Sequence, residues 1–212
     1  MDADFWHKLW ETNEIGFHND EVNELFLKNF PQLELKKSSR IFIPLCGKTV
    51  DIKWLLDNDY SVVGVELNEN AIKELFSSLK LETAVKNVGS LTLYSAKNID
   101  IFIGDIFELN KETLGKVDAV YDRGAIVALP TEMRKKYTSL LVNITGNAPQ
   151  LIISYEYDQN LMEAPPFSVK ESQLKDYYSD YYNFKLMEVI KPKVFEKLDM
   201  SETVWTLNRK NS

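Results

Sequence analysis

The residues best suited to chemistry in this sequence stand just after short apolar runs. Pro44-Leu45-Cys46-Gly47-Lys48-Thr49 follows the first run, Glu66 ends the second, Gly104-Asp105-Ile106-Phe107 follows the third, and Asp122-Arg123-Gly124-Ala125 follows the fourth. Gly-Lys-Thr resembles the tail of a phosphate-binding loop, but position 42, where such a loop needs its first glycine, is Phe. Without it the backbone N–H groups cannot wrap a triphosphate. A dinucleotide fingerprint is missing too, since Gly47 is the only glycine in its turn and a pyrophosphate would lack its cradle. The turn therefore offers one close backbone approach, enough for a ligand without phosphates. Glu66 lies nineteen residues beyond Gly47, the spacing at which a carboxylate accepts from both hydroxyls of a ribose; an ordinary surface Glu at a strand end is the competing reading. Asp105 is placed to accept from an adenine amine while Ile106 packs on the ring, although Gly-Asp is also a common turn pair. Asp122 and Arg123 break an apolar stretch beside this site. The fixed guanidinium fork of Arg123 suits a carboxylate or a developing anion, or the two close the loop as a structural ion pair. A ribose carboxylate, an adenine position and no phosphate cradle describe a nucleoside without a pyrophosphate. S-adenosylmethionine and its product S-adenosylhomocysteine fit that description.

The elements that must position these residues alternate. Residues 40–45, 61–66, 99–103, 117–121 and 151–155 read as short buried strands, and residues 49–58, 70–80 (with Asn68 as N-cap) and 131–145 as amphipathic helices. Such alternation implies a parallel sheet covered on both faces, with its ligand beyond the carboxyl ends of the strands. A helix over 171–180 and two antiparallel strands near 184–190 and 203–208 complete an α/β fold with a mostly parallel, seven-stranded sheet. The first 35 residues read as mainly helical and outside the sheet.

The 212 residues suit one domain, 44% of them are hydrophobic, and the formal net charge is −7. No basic run is present, which argues against nucleic acid as a partner. The single cysteine, Cys46, forbids an intrachain disulfide and suits a reducing compartment. No signal-peptide order and no apolar run long enough to span a membrane stand in the sequence, so a cytoplasmic protein is expected. A monomer is the default, and no metal-ligand set is evident.

Read in order, Phe5-Trp6…Trp10, Gly16-Phe17-His18, Pro44-Leu-Cys-Gly-Lys48, Val63-Gly-Val-Glu66, Asp122-Arg-Gly-Ala125, Val127-Ala-Leu-Pro130, Arg134…Tyr137 and Pro165-Pro-Phe167 resemble the thiopurine S-methyltransferase family across nearly the whole chain. The resemblance implies a Rossmann-like, S-adenosylmethionine-dependent methyltransferase domain over residues 1–212, with residues 1–35 as a helical cap. It implies that Trp6, Trp10 and Phe17 close over the cofactor, that Leu45 and Glu66 contact it, and that Asp105 and Ile106 take the adenine side. It also implies that Arg123 lies near both cofactor and acceptor, and that Phe17 with Pro166-Phe167 flanks the acceptor. Ala164 stands where the family usually has Gly, Leu9 where a basic residue often precedes the second Trp, and the segment after residue 190 matches loosely. Trp6 and Trp10, four apart, share a helix face, and two indoles there are placed to cover a sulfonium at about 0.5–2 kcal/mol; an amphipathic helix packing its Trp residues on the sheet is the competing reading.

The expected reaction is in-line methyl transfer to a small thiol, in which positioning and exclusion of water are the main tasks. Arg123 favours the thiolate, Asp122 or a water takes any remaining proton, and Cys46 is structural. Methylation of a selenium or tellurium compound, or a non-catalytic nucleoside-binding module on the same fold, are the alternatives.

Overall fold

The computed structural model describes residues 3–191 and 198–210. Its centre is five parallel strands, β1 (Arg40–Pro44), β2 (Ser61–Glu66), β5 (Ile99–Ile103), β6 (Ala119–Arg123) and β7 (Gln150–Glu156). Two antiparallel pairs extend it, β3 (Ala84–Val88) with β4 (Leu91–Ala96) on one edge and β8 (Tyr182–Ile190) with β9 (Ser201–Arg209) on the other. The order is β3-β4-β5-β2-β1-β6-β7-β9-β8. The sheet thus has nine strands rather than the expected seven, and only its middle is parallel. The two extra strands are the β3–β4 hairpin, joined through Gly89-Ser90. Its outer strand, Ala-Val-Lys-Asn-Val, is mostly exposed and is interrupted by Lys86 and Asn87, so it lacks the apolar run that marks the buried strands.

Period-two alternation distributes the parallel strands between two cores. Phe42, Val63, Val65, Phe102, Val120 and Ile152 face one side. There α5 (Lys111–Leu114), α6 (Ala125–Ala128), α7 (Thr131–Thr145) and α8 (Glu171–Tyr178) bring Leu114, Ile126, Tyr137, Leu141, Leu174 and Tyr178. Ile41, Ile43, Val62, Ile101, Tyr121 and Ile153 face the other, covered by α2 (Glu24–Asn29), α3 (Asp51–Asp57) and α4 (Glu69–Leu79). Asn68 caps α4 as its sequence suggests, its side chain accepting from the Ala71 N–H at 3.0 Å. The N-terminal arm consists of α1 (Ala3–Glu11), an irregular stretch over 12–23, then α2 and a 3-10 turn (Phe30–Leu33). Among the described residues no helix is long and apolar enough to cross a membrane.

One shift in register matters for function. The fourth parallel strand runs over 119–123, not 117–121. Asp122 and Arg123 are therefore the last two residues of β6, paired with Ile152 and Ile153, and they point to opposite faces of the sheet.

Candidate active site

At the end of β1 the chain turns sharply through Leu45 at φ +46 and Gly47 at φ +51. A left-handed leucine is costly and persists only where the surroundings hold it. Here the Cys46 N–H donates to Val65 O at 3.0 Å, and the Gly47 N–H donates to Glu66 Oε2 at 2.8 Å. Glu66 Oε1 accepts from the Asn68 N–H at 2.9 Å. One carboxylate therefore ties together the ends of β1 and β2 and the start of α4, which is more than a surface Glu would do. Burial pushes the Glu66 carboxyl above its ordinary value, while the N–H groups of Asn68, Gly47 and Leu67 and the nearby His7 pull it back. Gly64 has no room for a side chain: a Cβ would lie 2.8 Å from both Cys46 Sγ and Ile101 Cδ1. Burial raises the Cys46 thiol well above its usual range, so it is an inert packing group.

The arm lies over this turn. Trp10 rests on Gly47, where an added Cβ would meet its ring at 3.3 Å, and Lys48 Nζ stands 5.8 Å from the same ring. Phe17 packs edge-on against Trp6 at 5.7 Å and Trp10 at 5.4 Å. His7 Nδ1 is 3.4 Å from Asn68 Nδ2. No residue of α1 is buried, so these few aromatic and polar contacts hold it in place. His18 sits on the same arm beside Asp20, its ring kept below the usual pKa by burial and by Lys48.

Arg123 reaches from β6 into the arm. Its Nη1 donates to Phe17 O at 3.2 Å. With the Asn19 amide oxygen facing it, Nη2 donates there at 2.6 Å. Asp122, on the opposite face, is fully buried. Its Oδ2 accepts from Tyr137 Oη at 2.7 Å and its Oδ1 from the Ile126 N–H at 3.1 Å. The expected roles of the pair therefore divide. Asp122 has no open face from which to take a proton from an acceptor. It fastens the β6–α6 turn to α7, and Arg123 is the member that faces the arm. The two do not form an ion pair with each other.

The Pro165-Pro166-Phe167 loop is pinned next to that turn. The Phe167 N–H donates to Val127 O at 2.6 Å and the Val169 N–H to Tyr155 O at 2.7 Å. The buried Arg134 donates to Ser168 O at 3.0 Å and lies 5.7 Å from the Phe167 ring. On the adenine side, Asp105 is exposed and its carboxylate accepts from the Phe107 N–H at 3.0 Å. Ile106 is 3% exposed and packs in the core with Val65, Phe102 and Leu109. The expectation of its side chain lying open on an adenine ring is thereby corrected: it supports the strand-end corner from within. Among the described residues no group of three His, Cys, Asp or Glu side chains stands close enough to hold a metal ion.

Comparison with known proteins bears on this arrangement. The family model for thiopurine S-methyltransferase matches residues 1–210. A thiopurine S-methyltransferase of Teredinibacter turnerae is 44% identical over 211 residues, covering 99% of this chain and 98% of that protein. One from Xanthobacter autotrophicus is 43% identical over 212 residues, covering 99% and 100%. This chain belongs to the thiopurine S-methyltransferase family. Among solved structures, the fold is similar to that of the Burkholderia thailandensis 1,6-didemethyltoxoflavin-N1-methyltransferase solved with S-adenosylhomocysteine. That match has a TM-score of 0.68 at 12% identity, over 99% of this chain and 87% of that one. A magnesium protoporphyrin IX methyltransferase from Synechocystis, also with S-adenosylhomocysteine, gives a TM-score of 0.64 at 12% identity, over 98% and 100%.

As a member of the thiopurine S-methyltransferase family, the chain is an S-adenosylmethionine-dependent methyltransferase, and the residues at its first two strand ends fit that cofactor. Glu66 is a buried carboxylate at the end of β2, the Leu45–Gly47 turn carries no phosphate cradle, and an aromatic ring covers Gly47. Motif reading alone misses several residues of the site. Asn19 joins Phe17 in holding Arg123, and His7 and Lys48 join the arm to the loops. Tyr155 and Glu202 stand near Arg123 on β7 and β9. The Arg123-bearing row of strand ends is the signal that leads to the last two, since Tyr155 and Glu202 are register partners.

Proposed function

We propose that this chain transfers the methyl group of S-adenosylmethionine to the sulfur of a small aromatic or heterocyclic thiol, of thiopurine type, by in-line displacement. When bound, S-adenosylmethionine supplies an electrophilic methyl on a sulfonium. Leu45, Gly47 and Glu66 would hold it, with Asp105 at the adenine end and Trp6, Trp10 and Phe17 above. The observation that carries the reading is the fork of Arg123 to Phe17 O and Asn19. It fastens the arm that lies over the Leu45–Gly47 turn to the end of β6, and a cation held there would stand between donor and acceptor. Arg123 favours the thiolate form of the acceptor and holds it. The aromatic arm excludes water and fixes the approach, the principal source of rate when the leaving group is already good. Asp122 holds Arg123's strand end in place. A cytoplasmic monomer acting on a small molecule, with residues 1–35 as the cap of one domain, is the setting proposed with it.

The test is calorimetric titration with S-adenosylmethionine, followed by turnover assays on a panel of aromatic, heterocyclic and aliphatic thiols. Turnover with preference for the aromatic members is expected. Cofactor binding with no turnover on any thiol would refute the acceptor assignment.

A further inference from the structure

Beyond Arg123, the carboxyl edge of the sheet carries a second polar group that the proposed reaction leaves idle. Tyr155 lies on β7, the strand next to β6, two residues past Ile153, the register partner of Arg123. By strand alternation its side chain starts from the same face as Arg123, with which it interacts electrostatically, and its ring also packs against the edge of the core under α5–α8. Tyr155 is paired across the antiparallel ladder with Glu202 on β9, and its hydroxyl hydrogen-bonds that carboxylate. Glu202 is 8% exposed. Arg123, Tyr155 and Glu202 thus form a row leading away from the cofactor loops along the strand ends. The chain leaving the Pro165–Phe167 loop is fastened to this row, the Val169 N–H donating to Tyr155 O at 2.7 Å. A buried carboxylate is expensive to keep without a purpose or partners, and this one stands behind a hydroxyl at the proposed acceptor position.

We propose that Tyr155 contacts the acceptor and that Glu202, acting through it, accepts the proton of a neutral thiol; this rests on the thiol-methylation reading above. The acceptor's S–H bond breaks as its proton passes to the Tyr155 oxygen while the Tyr155 proton passes to Glu202. The sulfur electron pair forms the new S–C bond, and the donor's C–S bond breaks with its pair left on the donor sulfur. Solvent then takes the proton from Glu202. Thiols already ionised in water need Arg123 alone, whereas neutral ones need the relay.

The surroundings suit this division. Burial raises the Glu202 carboxyl above its ordinary value, with Arg123 and the Tyr155 hydrogen bond holding the rise in check. Tyr155, pushed up to about 12 chiefly by burial, stays protonated at neutral pH and relays rather than ionises. The groups facing Glu202 among the described residues are Tyr155 from β7, Arg123 and Tyr121 from β6, and the apolar Ile190 opposite it on β8. No second carboxylate among them offers an alternative sink: the nearest partner of Tyr121, Asp51, accepts its hydroxyl at 2.9 Å inside the core.

The experiment compares wild type, Glu202→Gln and Tyr155→Phe on two acceptors at pH 7.5: an aromatic thiol largely ionised in water and an alkanethiol largely protonated. Each variant's affinity for S-adenosylhomocysteine and its melting temperature report on folding. The expected result is a split. Both variants lose about a hundredfold in kcat on the alkanethiol, the scale of a lost proton acceptor, but no more than about threefold on the ionised thiol, with product affinity retained. Raising the pH should restore the alkanethiol rate of Glu202→Gln as the thiol ionises by itself. Equal losses on both thiols, or no loss on either, in variants that bind S-adenosylhomocysteine normally would overturn the relay while leaving the thiol reading intact. Absence of wild-type turnover on both acceptors overturns the thiol reading and the relay together.

Discussion

Replacing Asp122 with Asn tests how the Asp-Arg pair is divided. Asp122 is fully buried, and burial raises its carboxyl from 3.8 to about 6 even though Tyr137 and the N–H groups of Ile126 and Ala125 pull it down. A shift of about two units corresponds to about 3 kcal/mol. Its sign follows from the raised folded value. The contribution is fully favourable below the unfolded pKa near 3.8 and is lost as pH rises through about 6. At neutral pH the ionised carboxylate therefore costs the fold about 3 kcal/mol, and about half of that has appeared by pH 5. Asn keeps the shape: Oδ1 accepts from the Ile126 N–H and Nδ2 donates to Tyr137 Oη. We expect the Asp122→Asn variant to gain on wild type as pH rises from 4 to 7.5, by up to about 3 kcal/mol, as read from urea denaturation at pH 4, 5, 6 and 7.5. Methyl transfer should stay within a few-fold of wild type. A stability gap that does not change with pH would refute the assignment of the ionised state. Loss of about a hundredfold or more in turnover, with cofactor affinity kept, would refute the assignment of Asp122 as a positioning residue.

Other consequences follow from the same geometry. Glu66→Ala should weaken S-adenosylmethionine binding by about 1–3 kcal/mol by calorimetry, because ribose hydroxyls lose their acceptor. It should also lower the melting temperature, because the Gly47 and Asn68 N–H groups lose theirs; unchanged affinity would mean that the ribose lies elsewhere. Gly64→Ala should cost about 1–3 kcal/mol by overpacking against Cys46 and Ile101. Adding Cys46→Ala should return part of that loss in chemical denaturation, and strict additivity of the two changes would show that Cys46 is not the obstacle. Arg123→Lys keeps the charge but loses the fork to Phe17 O and Asn19, so limited proteolysis should cut the 12–19 segment faster. An arm as resistant as in wild type would show that Arg123 does not hold it.

The five central strands and the helices between them are legible in the sequence because each strand is largely buried and carries a short apolar core, even where Asp100 interrupts β5. The β3–β4 hairpin is not, since β3 buries almost nothing and is interrupted by Lys86 and Asn87, and β4 mixes buried Leu91, Leu93 and Tyr94 with Thr92 and Ser95 rather than forming an apolar run. Glu66 and Gly47 are legible as a pair because their spacing is set by one strand–turn–helix–strand unit. Glu202 is not, because its place depends on which strand inserts beside β7. The antiparallel β9 does so, while β8, earlier in the chain, takes the edge.

Asp122 and Arg123 show why a motif can be recognised before its chemistry is assigned. Adjacent residues on a strand face opposite sides, so a two-residue difference in where β6 ends determines whether both reach the ligand or only one. With the strand ending at 121, both would stand in the loop and share the site. With it ending at 123, Asp122 points under α6 and α7 to bind Tyr137 and Ile126, and Arg123 points toward the arm. The same register explains Arg134 and Tyr137, three apart on α7 and otherwise ordinary helix residues in the sequence. Tyr137 donates to Asp122, and Arg134 anchors the loop that carries Phe167. These two motif residues thus fasten the end of β6 and the loop that carries Phe167. A substitution at Tyr137 should therefore alter acceptor KM more than cofactor affinity, and steady-state kinetics on Tyr137→Phe would show the reverse if the turn were held in some other way.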